Sequence, residues 1–160
     1  MRRLQYSLIG AIVLATLAAP AAAQQDTKAE EQAVRAVVDR LFDGMRSRDT
    51  TMMRSVFADE AQFYGLDREG KVSITMPSDF IASIARAPAG LLLDEVLHDV
   101  EIRIDGPLAV VWTYYDLFVG DEFRHCGYDA LQMLKVQGEW KIVALADTRR
   151  QEDCRKQRSG

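Results

Sequence analysis

The chain has only two cysteines and two histidines, and that scarcity excludes several chemistries at once. There is no C-x-x-C or H-x-x-x-H spacing, so the usual zinc-ligand patterns are missing. There is no glycine-rich phosphate loop, no serine on a nucleophile elbow and no carboxylate run spaced to hold a metal. No metal and no cofactor is expected. Net positive charge is lacking too: 20 basic against 24 acidic side chains give −4. An acidic chain is a poor partner for nucleic acid or an anionic membrane surface. The C-terminal run TRRQEDCRKQR is basic, but acids interrupt it and it reads as a solvated tail. Internal repeats are absent, and the one long apolar run lies at the N-terminus.

That run sets the expected compartment. MRRLQYSLIGAIVLATLAAPAAAQQ has Arg2 and Arg3, an apolar stretch from Tyr6 to Ala19, and Ala21 and Ala23 as an A-x-A step before Gln24. This is the layout of a secretory signal peptide over residues 1–23, too short for a comfortable membrane span. Cleavage would leave a domain over 24–154 and a tail over 155–160, periplasmic or secreted, with no later membrane span. Losing Arg2 and Arg3 would take the formal charge from −4 to −6. In an oxidising compartment two cysteines usually pair, and Cys126 and Cys154 can pair in only one way. That disulfide would pin the tail onto a strand by closing a loop of about 28 residues, contributing on the order of 3 kcal/mol.

The remaining pattern is helical, then extended. TKAE offers a capping box, Thr27 with Glu30, ahead of a stripe formed by Val34, Val37, Val38, Leu41, Phe42 and Met45. Asp49 can cap a short second helix with Met52, Met53, Val56 and Phe57 as its apolar residues. AQFYGL and KVSITM read as two strands around the turn DREG, and SDFIASIARA as a third helix with Ser78 as N-cap. LDEVLHDVEIRID alternates, placing Val96, His98, Val100, Ile102 and Ile104 on one face. LAVVWTYYDLFV, apolar on both faces at its start, is expected to be central. FRHCGYDALQMLKV and WKIVALADT complete an antiparallel meander with short turns. Helices followed by a curved sheet make the α+β class, with helices on one sheet face.

Strand alternation groups Trp112, Tyr114, Asp116 and Phe118 on one face, which suits a pocket lining for a flat or apolar ligand and equally suits core with Asp116 at its rim. If the hairpin turns at Asp121, numbers summing to about 241 or 242 face each other, so Asp116 lies opposite His125 or Cys126. Asp116 beside His125 would make a candidate general base; a satisfied buried histidine is the plainer reading. Alternation turns Cys126 away from His125, against a neighbouring Cys-His nucleophile. Tyr64 could reach an interior. Asp147 and Arg149 share a face and would bind a ligand carboxylate or pair with each other. His98, among Val and Ile, reads as a core histidine.

The opening helix VRAVVDRLFDGMRSRD, the segment FADEAQFYG, the long stretch LAVVWTYYDLFVGDEFRHCGYDALQMLKVQGEWKIVALADTRR and the late cysteine together resemble the nuclear transport factor 2-like superfamily. The exported bacterial members called putative lumazine-binding proteins, and the SnoaL-like group, are the most similar. The resemblance spans Glu30 to Cys154 and implies a cone-shaped, curved antiparallel sheet with N-terminal helices packed on its concave face. It also implies a pocket for a small apolar or aromatic molecule and homodimers through the outer sheet face. It does not imply one activity, because the fold hosts binders, isomerases, cyclases and dehydratases. Three functions stay open: an exported small-molecule binder with an aromatic cone pocket; a ketosteroid isomerase-like or polyketide cyclase-like enzyme moving a proton on an apolar carbonyl compound, with Asp116 or His125 as base and Tyr64 or Tyr114 as oxyanion donor; and a ligand-free accessory dimer.

Overall fold

A computed structural model describes residues 19–158 except 68 and 89; most of the expected signal peptide, residues 1–18, lies outside the described residues. Helix α1 spans Ala19–Ser47, α2 Thr50–Ser55 and α3 Pro77–Arg86. The strands are β1 Phe57–Leu66, β2 Val72–Thr75, β3 Leu93–Asp105, β4 Leu108–Val119, β5 Glu122–Val136 and β6 Glu139–Asp147. One sheet holds all six in the order β2-β1-β6-β5-β4-β3. Its pairings are antiparallel except β1 with β6, which is parallel. The α+β class and the helix-covered curved sheet are those expected.

The α1 stripe is the core. Val34, Val38, Leu41, Phe42 and Met45 are buried and pack against Ala109, Val111, Leu131, Met133 and Ile142 of the sheet. The capping box at Thr27 does not begin the helix, because the alanine-rich stretch before it is itself helical. Glu30 instead accepts from Lys135 Nζ at 2.6 Å and Trp140 Nε1 at 2.8 Å, tying α1 to the β5–β6 hairpin. Gly44 lets α2 approach, since a Cβ there would stand 2.8 Å from Met53 Cγ. Asp49 caps α2 by accepting from the Thr51 and Met52 amides at 2.9 Å. The N-cap of α3 is Met76 rather than Ser78, and Pro77 occupies the first turn, where a missing N–H costs nothing.

Bulges decide which side chains face the helices. In β3, Asp99 adopts φ 52° and the register jumps between His98 and Glu101. Val96 and His98 therefore lie on the outer, convex face, while Val100, Ile102 and Ile104 pack into the core. The single alternating face expected for β3 is broken there, because one extra residue turns all later side chains over. In β4, Leu108, Val110 and Trp112 are exposed on the convex face at 45%, 40% and 48%. That strand is second from the edge, and its first half is covered on one side only.

From Thr113 to Asp116 β4 is buried on both faces, and the reason is the C-terminal segment. Cys126 and Cys154 form a disulfide with Cα atoms 5.8 Å apart. The segment 150–158 lies along the convex face behind it. Arg150 exchanges backbone hydrogen bonds with Cys126, both 2.9 Å. The Arg155 and Arg158 guanidiniums sit 4.4 Å over the Tyr114 and Phe118 rings. The basic tail is a strap on aromatic rings rather than a solvated end.

Candidate functional site

The residues expected to line a pocket separate into two groups on opposite faces. Trp112, Tyr114, Asp116 and Phe118 are convex, so the expected aromatic cone lining is not the cone. Asp116 is fully buried there; it accepts from the Tyr114 hydroxyl at 3.1 Å and the Gln157 amide at 3.0 Å. His98 Nε2 stands 3.4 Å from Asp116 Oδ2 without hydrogen-bond alignment. Both Asp116 oxygens are engaged and the side chain is out of contact with solvent, so it has no access to a substrate, while His98 Nε2 beside it has no hydrogen-bond partner. The hairpin places Asp116 opposite Cys126 and Leu117 opposite His125, so Asp116 and His125 do not meet. Tyr64, paired with Ile74 and Ala146, is 36% exposed on the convex side and donates to Gln62 Oε1 at 2.6 Å.

His125, Asp147 and Arg149 do come together, on the concave side. They join three residues that the strand pattern does not single out: Glu95, Tyr115 and Asp129. The register explains the grouping. Tyr115 lies opposite Gly127 and Leu97, Asp129 opposite Thr113 and Asp147, and His125 opposite Leu117, whose other neighbour is Glu95. All belong to the parity that carries Val111 and Leu131 into the core. Half-buried Leu97, opposite Tyr115, and Leu117, opposite His125 and Glu95, lie beside them and pack against the core, as do Phe63, Phe80, Leu93 and Leu145. A signal for Asp129 does exist in the sequence: it stands two residues before Leu131 on a core-facing strand, where an unneeded acid is costly.

Two glycines shape this mouth. A Cβ on Gly127 would fall 1.7 Å from the Thr148 carbonyl oxygen, so only glycine lets the chain after β6 cross β5 so closely. That crossing delivers the Thr148 carbonyl to the Tyr115 hydroxyl, which donates to it at 2.8 Å. Gly65 lies beside Asp147, with no side chain to fill the space.

The electrostatics are those of acids crowded out of water. Burial pushes the Glu95 carboxyl up to about 7, helped by Asp147 and opposed by the hydrogen bond to Asp129 and by Arg149. Burial and the Glu95 charge raise Asp129 well above the usual carboxylate range. Asp129 Oδ2 is buried and meets no N–H or hydroxyl donor. The group it does meet is the Glu95 carboxyl, and a hydrogen bond between two carboxyls requires a proton between them. Burial and the same acids raise the Tyr115 phenol far above its ordinary value. The His125 imidazole, edge-on to Tyr115 at 5.7 Å, is lowered by burial and by Arg149, which keeps it neutral near pH 7. Arg149 Nε donates to Asp147 Oδ2 at 2.5 Å, so these two pair with each other, the plainer of the readings open for them. For Arg149 burial lowers the pKa, but Asp147 outweighs it and the net direction is upward. Among the described residues no group of His, Cys, Asp or Glu is arranged to hold a metal.

Two cavities lie away from this mouth. One of about 510 Å³ runs between α1 and the β5–β6 turn, bordered by Glu30, Val37, Arg40, Lys135, Trp140 and Lys141. Another of about 150 Å³ lies between Arg54, Phe57 and the start of α3. In the concave cluster Tyr115 and Asp129 are buried, Glu95, His125 and Asp147 half-buried and Arg149 exposed. Its Glu95 carboxyl, raised to about 7, can take up or release a proton near neutral pH.

Solved structures share this architecture. An NTF2-like protein of unknown function from Shewanella baltica superposes with TM-score 0.62 at 20% identity, over 77% of this chain and 95% of that one. Another from Silicibacter pomeroyi gives TM-score 0.60 at 22% identity, over 78% and 98%. A putative dehydratase of the NTF2-like family from Streptomyces avermitilis gives 0.61 at 14%, over 78% and 99%. At these identities the likeness shows the fold alone. No curated protein matches the sequence. Residues 29–146 match the family described as putative lumazine-binding, whose description suggests a small-molecule-binding domain, and the chain belongs to that family and shares the fold of NTF2-like proteins.

Proposed function

We propose that the protein is an exported binder of a small apolar molecule, held in the concave mouth with its polar end on Glu95 and Asp129. The observation that carries this reading is the concave cluster itself: the Glu95–Asp129 carboxyl pair with Tyr115 and His125, beside half-buried Leu97 and Leu117, in a domain of a family with a binding description. A disulfide between the two cysteines supports export, since it persists in oxidising compartments. The exposed convex residues Leu108, Val110, Trp112, Leu134 and Val136 support homodimerisation through the uncovered half of that face. Native mass spectrometry of the protein recovered from the export fraction tests the reading. A bound small molecule, lost in a Leu97→Arg variant that still folds, is expected. An empty protein that also fails to bind any neutral aromatic probe would sink it.

A second reading is favoured by one observation, the Glu95 carboxyl held at about 7. A base poised near the working pH is what proton transfer on an apolar carbonyl compound needs. In this reading the Glu95–Asp129 pair replaces Asp116 as the base, because Asp116 is sealed beneath the strap. Turnover that survives Glu95→Gln would remove it.

A further inference from the structure

The cavity of about 510 Å³ between α1 and the β5–β6 turn lies apart from the concave cluster, and nothing said of that cluster accounts for it. Its helical wall is one stripe of α1. Glu30, Ala33, Val37 and Arg40 recur at three- and four-residue steps, so the stripe runs roughly 15 Å along the helix. Val34, Val38 and Leu41 are buried in the core, while exposed Ala33 and Ala36 leave this flank of the helix hollow. The opposite wall is the start of β6, Glu139, Trp140 and Lys141, with Val56 between. Gly138, at φ 88°, has no atom within 4 Å of where a Cβ would stand, so the hairpin tip leaves that end open.

Two observations say what would fill the cavity. The first is an unused stretch of strand edge. β1 pairs with β6 only from Ile142 onward, and the Ile142 amide turns away from β5 to donate to the Val56 carbonyl at 2.8 Å. Trp140 precedes Ile142 by two residues, the strand period, so its amide turns the same way. No strand lies opposite it there, and no acceptor engages that amide among the described residues. The second is charge. Lys135 pairs with Glu30 at 2.6 Å and Lys141 with Glu139 at 2.9 Å, so these two pairs cancel. Arg40 lines the same cavity and has no ion-pair or hydrogen-bond partner among the described residues. One guanidinium is left over, in a chain that is acidic overall.

We infer that this cavity is a second ligand site, for a small amphipathic acid whose carboxylate takes hydrogen bonds from the Arg40 guanidinium and the Trp140 amide while its apolar body lies along Ala33, Ala36, Val37 and Val56. The planar fork of an arginine can hold both oxygens of a carboxylate, which a single amine cannot do. The site does not depend on the concave reading. There Glu95, Asp129 and Asp147 stand against Arg149 alone, a setting that disfavours an acid.

The test compares 2-naphthylacetate with its neutral amide, 2-naphthylacetamide, on the folded chain, followed by amide NMR. The acid is expected to bind at least about tenfold tighter, since a hydrogen bond between charged groups exceeds a neutral one by that much. It should shift the backbone amide of Trp140 and leave that of Trp112, on the convex face, unmoved. Arg40→Gln removes an exposed, unpaired charge and keeps the fold; it should bring the acid down to the affinity of the amide. Ala36→Leu puts a good helix former into the cavity wall and should weaken both probes at least about tenfold at an unchanged melting temperature. Equal binding of acid and amide, an acid preference that survives Arg40→Gln, or no response at the Trp140 amide overturns the proposal. So does a neutral capped peptide that shifts Trp140 where the acid does not, which would assign the edge to strand pairing. Probe binding that shifts the Leu97 and Leu117 amides in place of Trp140 overturns this site and leaves the concave one standing.

Discussion

Glu95 is the residue whose replacement tests the electrostatic reading most directly. Its carboxyl rises from an ordinary 4.5 to about 7 in the fold, chiefly through burial. Between those values the folded chain holds a proton that the unfolded chain has lost. Stability therefore falls as pH rises from about 4.5 to about 7, and the loss is complete above 7. A tenfold change in proton affinity is worth about 1.4 kcal/mol, so the ceiling is about 3.5 kcal/mol. The proton is shared with Asp129, so about 1–3 kcal/mol is the range to expect. Glu95→Gln mimics the protonated acid: it keeps the shape, and its amide can donate to Asp129. At about pH 5 the variant should match the parent closely. At pH 8 it should be more stable by about 1–3 kcal/mol. Urea unfolding followed by tryptophan fluorescence at pH 5, 6, 7 and 8 measures the difference, and groups common to both proteins cancel in it. A difference that stays constant from pH 5 to pH 8 would refute the raised carboxyl and the shared proton with it.

Other parts of the structure make separate predictions. Gly127→Ala drives a methyl group into the Thr148 carbonyl and should cost about 2–4 kcal/mol, read as a lowered melting temperature, with the Tyr115–Thr148 hydrogen bond lost. Cys154→Ser opens a loop of 28 residues and should cost about 3–4 kcal/mol; limited proteolysis should then cut within residues 150–158. Asp116→Ala leaves the Tyr114 hydroxyl and the Gln157 amide without their acceptor and should destabilise by about 2–4 kcal/mol. Binding of a neutral aromatic probe at the proposed concave site should survive Asp116→Ala, because Asp116 is on the other face of the sheet.

That last contrast shows which part of the site can be read from the sequence. Strand limits are legible: β3 and β4 begin and end where alternation and the Gly106 turn put them, since long two-period runs between tight turns leave little freedom. Hairpin pairing is legible too, and the sum of 242 places Asp116 opposite Cys126. What the pattern does not carry is the sign of each face. Trp112, Tyr114, Asp116 and Phe118 form one set, Val111, Thr113, Tyr115 and Leu117 the other; both mix apolar with polar groups, so composition alone cannot say which set the helices cover. The helices choose by packing Val34, Val38 and Leu41 against Val111, and that contact is long-range. The Asp99 bulge adds a local inversion that only the backbone records.

The tail then hides the choice further. A buried aspartate with a tyrosine and a histidine is the usual composition of an active site, and here it is the seat of a strap. Asp116 is satisfied by the Gln157 amide, which reaches it only because the disulfide holds the segment beyond β6 against the sheet. The concave acids are the reverse case. Glu95 looks like an ordinary surface residue in the sequence and Asp129 is marked only by its parity with Leu131, yet burial in the folded chain raises both carboxyls and sets them against each other. Satisfied polar groups hold a fold in place; unsatisfied ones leave work for a ligand. By that criterion Asp116, engaged by the Tyr114 hydroxyl and the Gln157 amide, belongs to the stability of the domain, and the raised carboxyls of Glu95 and Asp129 are where the proposed binding reading puts a ligand's polar end.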